Sequence, residues 1–434
     1  MRAGPTGNNQ FSHENQINIV IDGIIGGTPV RGANLGRWVL SVAAVVCLLW
    51  IGSQQTFFKD TISSPFLAVA LLSIFLIQLR TKVEVRELAL AGILAFALYG
   101  LDIRWLGYAL RWPALVSFVG MASLVVLGLR VIWAEAPERG TAILTLVPAF
   151  LFVASEWCAS YFLEWGARAR PTVLDLFLYS FDASLRVQPA FLMGQLFARF
   201  PNFAAGSVIV YLALPVAIGL TFAGCVRRDR GNAVSAVVAF LITGPIGACF
   251  YTIFPALGPA HIFQKGFPWS ALTVEQARNL FLEPLAVAGP RNAIPSLHAA
   301  WIFLVFWYAR KLSLVERLVA GGFVFFTLCA TMGTGEHYLV DLIVAVPFTV
   351  MILGVTQIVC AREQRTPWGA VLYGLGMTLL WFGLLRYGNR VFWASALVPW
   401  VACALTIVSG WYYAGELGQQ CSARELGSAE ARLA

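Results

Sequence analysis

The sequence predicts an all-α fold, a polytopic transmembrane helix bundle of about twelve spans. Three observations point there. Of 434 residues, 59% are hydrophobic and only 12% are charged, about half the charge of an average soluble domain. The apolar residues fall in runs long enough to cross a hydrocarbon layer of ~30 Å. The basic residues collect in the short stretches between those runs, as cytoplasmic loops do. Topology therefore accounts for the net charge of +8, and no nucleic-acid partner is implied. The eight cysteines are scattered through apolar sequence with neither CxxC nor metal-ligand spacing, and read as core or lipid-facing thiols.

The elements follow in order. Residues 1–36, which include His13, are polar and glycine-rich. No apolar run follows Met1, so the segment reads as a cytoplasmic tail and not as a cleaved signal. Residues 37–140 hold apolar runs near 38–52, 65–79, 87–101 and 112–130, whose role the sequence leaves open. A central region, 141–360, holds runs near 141–158, 203–225, 233–254, 295–309, 318–334 and 338–360. Residues 361–434 add runs near 367–385 and 391–413 and a tail.

Segment 171–200 decides the orientation. It carries Asp175, Asp182 and Arg186 in otherwise apolar sequence. If it crossed the membrane, the basic stretch RRDR (Arg227–Arg230) would fall outside, so it reads as interfacial or re-entrant on the outer face. Both termini are then cytoplasmic, as are the basic stretches 80–86, 130–139, 227–230, 310–317 and 362–365. The loop 255–294 faces outward, and RYGNR (Arg386–Arg390) falls outside against the charge rule. The expected location is a plasma membrane, of the bacterial inner type.

Three of the four histidines, His261, His298 and His337, gather on that outer face. His337 and Asp341 are four apart and share a helix face. A carboxylate one turn into LVDLIVAVP is costly without a partner and marks a functional site. An imidazole whose one nitrogen donates to a carboxylate has a fixed tautomer and a more basic second nitrogen, which suits a nucleophile. In AIPSLHAAW (Ala293–Trp301), Pro295 suits the first helical turn. Ser296 sits among free N–H groups at a positive helix end, a ready place for a phosphate oxygen. His298 follows within the first turn and can donate a proton to a leaving group. Arg291 and Lys265 can neutralise a phosphate, arginine through two parallel hydrogen bonds. Asn292 either holds the loop or binds substrate, and His261 joins the same group of candidate substrate contacts.

PSLH (Pro295–His298) and HYLVD (His337–Asp341) together resemble the type 2 phosphatidic acid phosphatase (PAP2) superfamily, with its PSGH and SRxxxxxHxxxD motifs. The match is nearest to the inositol phosphorylceramide synthase, or inositolphosphotransferase, branch, where PSLH and HYxxD are usual. FPALGP (Phe254–Pro259) is similar to the proline-rich outer loop of that branch. The resemblance covers roughly 141–360 and implies a six-helix catalytic core. It implies that His337 attacks phosphorus and forms a phosphohistidine, that Asp341 orients it, and that His298 protonates the leaving oxygen. Water or a second alcohol, soluble or lipid, then takes the phosphoryl group. The substrate would be a phospholipid or lipid phosphate among membrane lipids, and neither metal nor cofactor is implied. Two departures stand out. The family's KxxxxxxRP motif is missing, and Thr331 occupies the place of the arginine six before the second histidine. Fewer cations suit a phosphodiester, with one negative charge, better than a monoester, and favour a transferase over a phosphatase.

Two other classes compete with this one. A lipid transporter would also carry intramembrane Asp and His, but would show repeats with broken helices in both halves. A metalloenzyme would use His298, His337 and Asp341 as a facial triad, with Glu336 or Glu283. The sequence names neither the lipid nor the acceptor.

Overall fold

The computed structural model describes residues 33–52, 65–81, 83–106, 112–360 and 367–433, nearly all of them helical. Most of the N-terminal tail, with His13, lies outside the described residues. Four helices come first: α1 (Ala33–Gly52), α2 (Pro65–Arg80), α3 (Val85–Leu106) and α4 (Trp112–Trp133). A long α5 (Ala136–Ala169) leads from them into the central region. There follow α6 (Asp175–Ser184), α7 (Pro189–Arg199), α8 (Pro201–Leu212), α9 (Leu214–Arg228) and α10 (Arg230–Ile253). Short helices α11 (Pro259–Phe263) and α12 (Val274–Arg278) interrupt the next loop. The site-bearing helices α13 (Leu297–Ala309), α14 (Leu314–Gly333) and α15 (Leu339–Cys360) come next, then α16 (Trp368–Tyr387) and α17 (Leu397–Leu433). Two dipeptide strands, β1 (Thr172–Val173) and β2 (Leu285–Ala286), pair antiparallel with Thr172 opposite Ala286.

Among the described residues seven helices are long and apolar enough to cross a membrane, or eight if α8 and α9 count as one bent span. The expectation of twelve is not met by this measure. Three further apolar helices, Gly36–Leu49, Pro65–Arg80 and Leu297–Ala309, have between 10 and 17 residues each. The single run expected over 203–225 is instead two helices bent by 51° about Ala213. Pro215 explains the break, because it has no N–H for the Tyr211 carbonyl and its ring collides with the preceding turn. No helix of segment 171–200 is long enough to cross a membrane. Helices α6 and α7 have 10 and 11 residues, about 15 Å each at 1.5 Å per residue, half of what a crossing needs. The run expected at 391–413 begins instead with a 3-10 turn (Asn389–Trp393) before α17.

Polar contacts sort the two ends of the bundle. At one end Arg80 pairs with Glu316 at 2.8 Å and Arg228 donates to the Lys311 carbonyl at 2.5 Å, so three of the basic loops meet. Loop RYGNR docks elsewhere, on α6. The Asn389 amide donates to the Phe177 carbonyl at 2.9 Å and accepts from Ser180 at 2.8 Å, while Arg386 lies 4.4 Å over the Phe177 ring. Asn389 is thus buried with partners and Arg386 lies on a ring, while Arg390 is exposed. Helix α2 packs tightly on its neighbours through glycine. A side chain at Gly120 would strike Leu71, and one at Gly219 would press on Ser73.

Candidate active site

His337 lies in the turn between α14 and α15. Gly335 takes a φ of +76° there, which glycine adopts without strain. The N–H groups of Glu336 and His337 both return to the Thr331 carbonyl at 3.1 Å, closing α14. Gly258, at φ +109°, packs so closely on the Glu336 carbonyl that no β-carbon would fit. The proline-rich loop FPALGP is therefore pressed against the turn that carries the histidine.

The imidazole of His337 is buried and held at both nitrogens. Nδ1 is 2.9 Å from the Ala293 carbonyl oxygen and 3.4 Å from Asp341 Oδ2. A carbonyl only accepts, so Nδ1 carries a proton, and in the neutral ring Nε2 then presents its lone pair. Asp341 is itself fixed by the Tyr338 N–H at 2.8 Å, while its Oδ1 is buried with no hydrogen-bond partner among the described residues. Asp341 was expected as the main partner of the ring. It shares that place with a main-chain carbonyl that lies closer.

Nε2 of His337 faces the Ser296 hydroxyl at 3.2 Å. Ser296 also caps α13, accepting from the Ala299 N–H at 3.3 Å, and its own N–H donates to the Asp341 carbonyl at 3.2 Å. The serine is thus the N-cap, and Pro295 precedes the helix instead of opening it. That follows from the cap, since a capping side chain needs an extended backbone just before the first helical residue. His298 lies in the first turn with its ring centroid 6.3 Å from that of His337. Its Nδ1 is 3.4 Å from the Tyr211 hydroxyl, and the two rings lie 4.4 Å apart and tilted by 32°. Phe66 of α2 and Trp301 complete an aromatic surround at 6.0 and 6.1 Å.

Two carboxylates seven apart on α6 hold the frame. Both Asp182 oxygens cap α15, accepting from Leu339 N–H at 2.8 Å and Val340 N–H at 3.3 Å. Asp175 accepts from Leu257 and Gly258 N–H at 3.1 and 2.8 Å and pins the loop before α11. Burial pushes Asp175 up to about 7 and Asp182 up to about 8. Neither was expected as a site residue. Their i, i+7 spacing in an apolar segment was the available signal.

The remaining candidates are less close to the pair. Arg291 is buried, and its guanidinium donates to the carbonyls of Arg170, Gly289 and Pro171 at 2.9, 2.5 and 2.9 Å. It ties the loop to the β1–β2 pairing, so a phosphate clamp would draw on its two remaining N–H groups. Lys265 is exposed, in a 3-10 turn (Gln264–Gly266). Asn292 has a buried Oδ1 without a partner among the described residues. His261 lies 3.9 Å from Glu336, which raises its pKa while the imidazole holds Glu336 below its usual range. Among the described residues no three His, Cys, Asp or Glu side chains are arranged to hold a metal ion, so the facial triad has no geometric support.

No curated protein and no solved structure matches the chain. Residues 176–355 match the family model of the PAP2 superfamily, a stretch that takes in both histidines, Asp341 and Ser296, and this domain with its apolar helices fits a membrane phosphatase or phosphotransferase of the PAP2 type.

Proposed function

We propose that the protein is an integral membrane lipid phosphotransferase working through a phosphohistidine, with its site on the extracytoplasmic face. His337 Nε2 attacks phosphorus, Asp341 balances the charge that develops on the ring, and His298 protonates the leaving oxygen. The observation that carries the reading is the pinned imidazole, with Nδ1–H on Ala293 O, Nε2 on the Ser296 hydroxyl and the His298 ring 6.3 Å away. A nucleophile needs this tautomer, with Nδ1 occupied so that Nε2 can attack.

Transfer of a phospho-headgroup, as in the inositol phosphorylceramide synthase branch, suits the site better than monoester hydrolysis. Thr331 stands where the family has arginine, and the hydrogen bonds of Arg291 run to main-chain carbonyls. A sparse set of cations fits a phosphodiester, which carries one charge at phosphorus. Charge on the equatorial oxygens would be met by the Ser296 hydroxyl, by Asn292 and by the free N–H groups of Arg291. A lipid phosphate phosphatase of the same chemistry is the second reading, with water in place of the alcohol acceptor.

The test uses purified full-length protein in detergent with EDTA, a panel of phospholipids and lipid phosphates, and an alcohol acceptor. Free phosphate and new lipid products are followed together. His337→Ala is expected to lower turnover roughly a thousandfold or more, as removal of a covalent nucleophile does. Turnover that survives this change sinks the reading, and the product ratio separates transferase from phosphatase.

A further inference from the structure

The surround of His298 is built from outside the two motifs. Tyr211 stands in the last turn of α8, just before the break at Ala213, and Phe66 opens α2 in the N-terminal helices. Phe66 also packs edge-on against Tyr211 at 5.7 Å and 75°. The kink that Pro215 imposes brings the Tyr211 ring over the imidazole, with its hydroxyl 3.4 Å from Nδ1. This geometry bears on the acid role, because an acid–base histidine must keep one nitrogen for transfer and have the other one occupied.

Given that His298 is the acid, we infer that Tyr211 is its positioning residue: the tyrosine oxygen accepts Nδ1–H, so that Nε2 alone carries the transferable proton in both half-reactions. In the first, the His337 Nε2–phosphorus bond forms as the bond to the leaving oxygen breaks. The His298 imidazolium passes its Nε2 proton to that oxygen and becomes the neutral Nδ1–H tautomer, which the Tyr211 oxygen holds. In the second, the same Nε2 takes a proton from the incoming water or alcohol as its oxygen bonds phosphorus and the His337–phosphorus bond breaks. The tilted ring, 4.4 Å away, adds attraction for the imidazolium through its π face. Phe66 buttresses the tyrosine, and so places the N-terminal helices at the site although they lie outside the stretch that matches the family.

The inference is tested with Tyr211→Phe, which keeps the ring and removes the oxygen. Two esters of one phosphate are compared in detergent, one with a p-nitrophenyl leaving group, which departs without a proton, and one with an alkyl leaving group, which needs it. Tyr211→Phe is expected to lower kcat/KM, which reports the first half-reaction, on the alkyl ester about 10- to 100-fold, the range of losses when an orienting partner is removed, and to change kcat/KM on the nitrophenyl ester by less than about threefold. In a cycle with His298→Ala, the double variant should be no slower on the alkyl ester than His298→Ala alone. Equal losses on both esters, no loss on either, or additive losses in the cycle overturn the Tyr211 role and leave the His298 acid in place. If His298→Ala itself shows no dependence on the leaving group, the acid assignment fails and the inference with it. A drop in melting temperature would lower both rates alike and so cannot imitate the expected pattern.

Discussion

At the scale of single residues, the nitrogen proposed to attack is selected chiefly by a main-chain carbonyl. Ala293 O sits closer to His337 Nδ1 than Asp341 does, 2.9 against 3.4 Å. In the proposed mechanism the carboxylate is then left to stabilise the positive charge that would appear on the ring during attack. Asp341→Asn should therefore lower kcat about 10- to 100-fold with little change in KM, because Ala293 still fixes the tautomer. Single-turnover rates check this. A loss nearer 10⁴-fold, the size seen in the serine protease triad when the wrong tautomer results, would mean that Asp341 and not the carbonyl sets it. Much of this site was legible in the sequence. The i, i+4 spacing exposed the His337–Asp341 pair, and a serine and a histidine at the head of an apolar run exposed Ser296 and His298. The carbonyl of Ala293 was not legible, since every residue carries one and only the fold chooses which is used. Tyr211 was hidden for a different reason. It is 87 residues from His298, and its approach depends on the bend of a helix. Arg291 was read as a free cation because sequence shows the charge but not the three carbonyls that occupy it.

At the scale of elements, α6 is the brace of the site. It is too short to span, nearly all of it is buried, and its two carboxylates cap the first turn of α15 and the loop before α11. A helix start with its N–H groups buried needs such acceptors. Asp182→Ala removes both from Leu339 and Val340 and should cost about 1–3 kcal/mol, visible as a lower melting temperature in detergent. Asp182→Asn keeps one acceptor oxygen and should cost less. The pH dependence has a definite sign. The folded-state pKa of about 8, raised mainly by burial, lies above the ordinary value of about 4. The native chain then binds the extra proton between those limits, so stability falls as pH rises from about 4 toward 8. Asp182→Asn should flatten part of that decline, and Asp175, with its pKa of about 7, should supply the slope that remains. A variant with the full wild-type slope would show that Asp182 does not titrate in this way.

At the scale of the whole molecule, the bundle has two chemically distinct ends, and the proposed function requires that they face opposite sides of a membrane. Arg80, Glu316, Arg228 and Lys311 tie basic loops together at one end. The histidines, the α6 brace and the RYGNR loop are linked by hydrogen bonds at the other. RYGNR docks on α6 through Asn389 and Arg386, while Arg390 stays exposed, so its breach of the charge rule stands. Two exposed residues give a direct test, Glu275 in the loop that carries α12 and Arg317 in α14. In a variant with the eight native cysteines replaced, Glu275→Cys should react with a membrane-impermeant thiol reagent in intact cells, and Arg317→Cys should react only after the membrane is opened. The reverse pattern would place the proposed site on the cytoplasmic side, where the acceptor pool and the supply of lipid phosphates differ. Labelling of both from outside would mean that the segment between them does not cross the membrane, which would break the link between the bundle's two ends and the two sides of the bilayer.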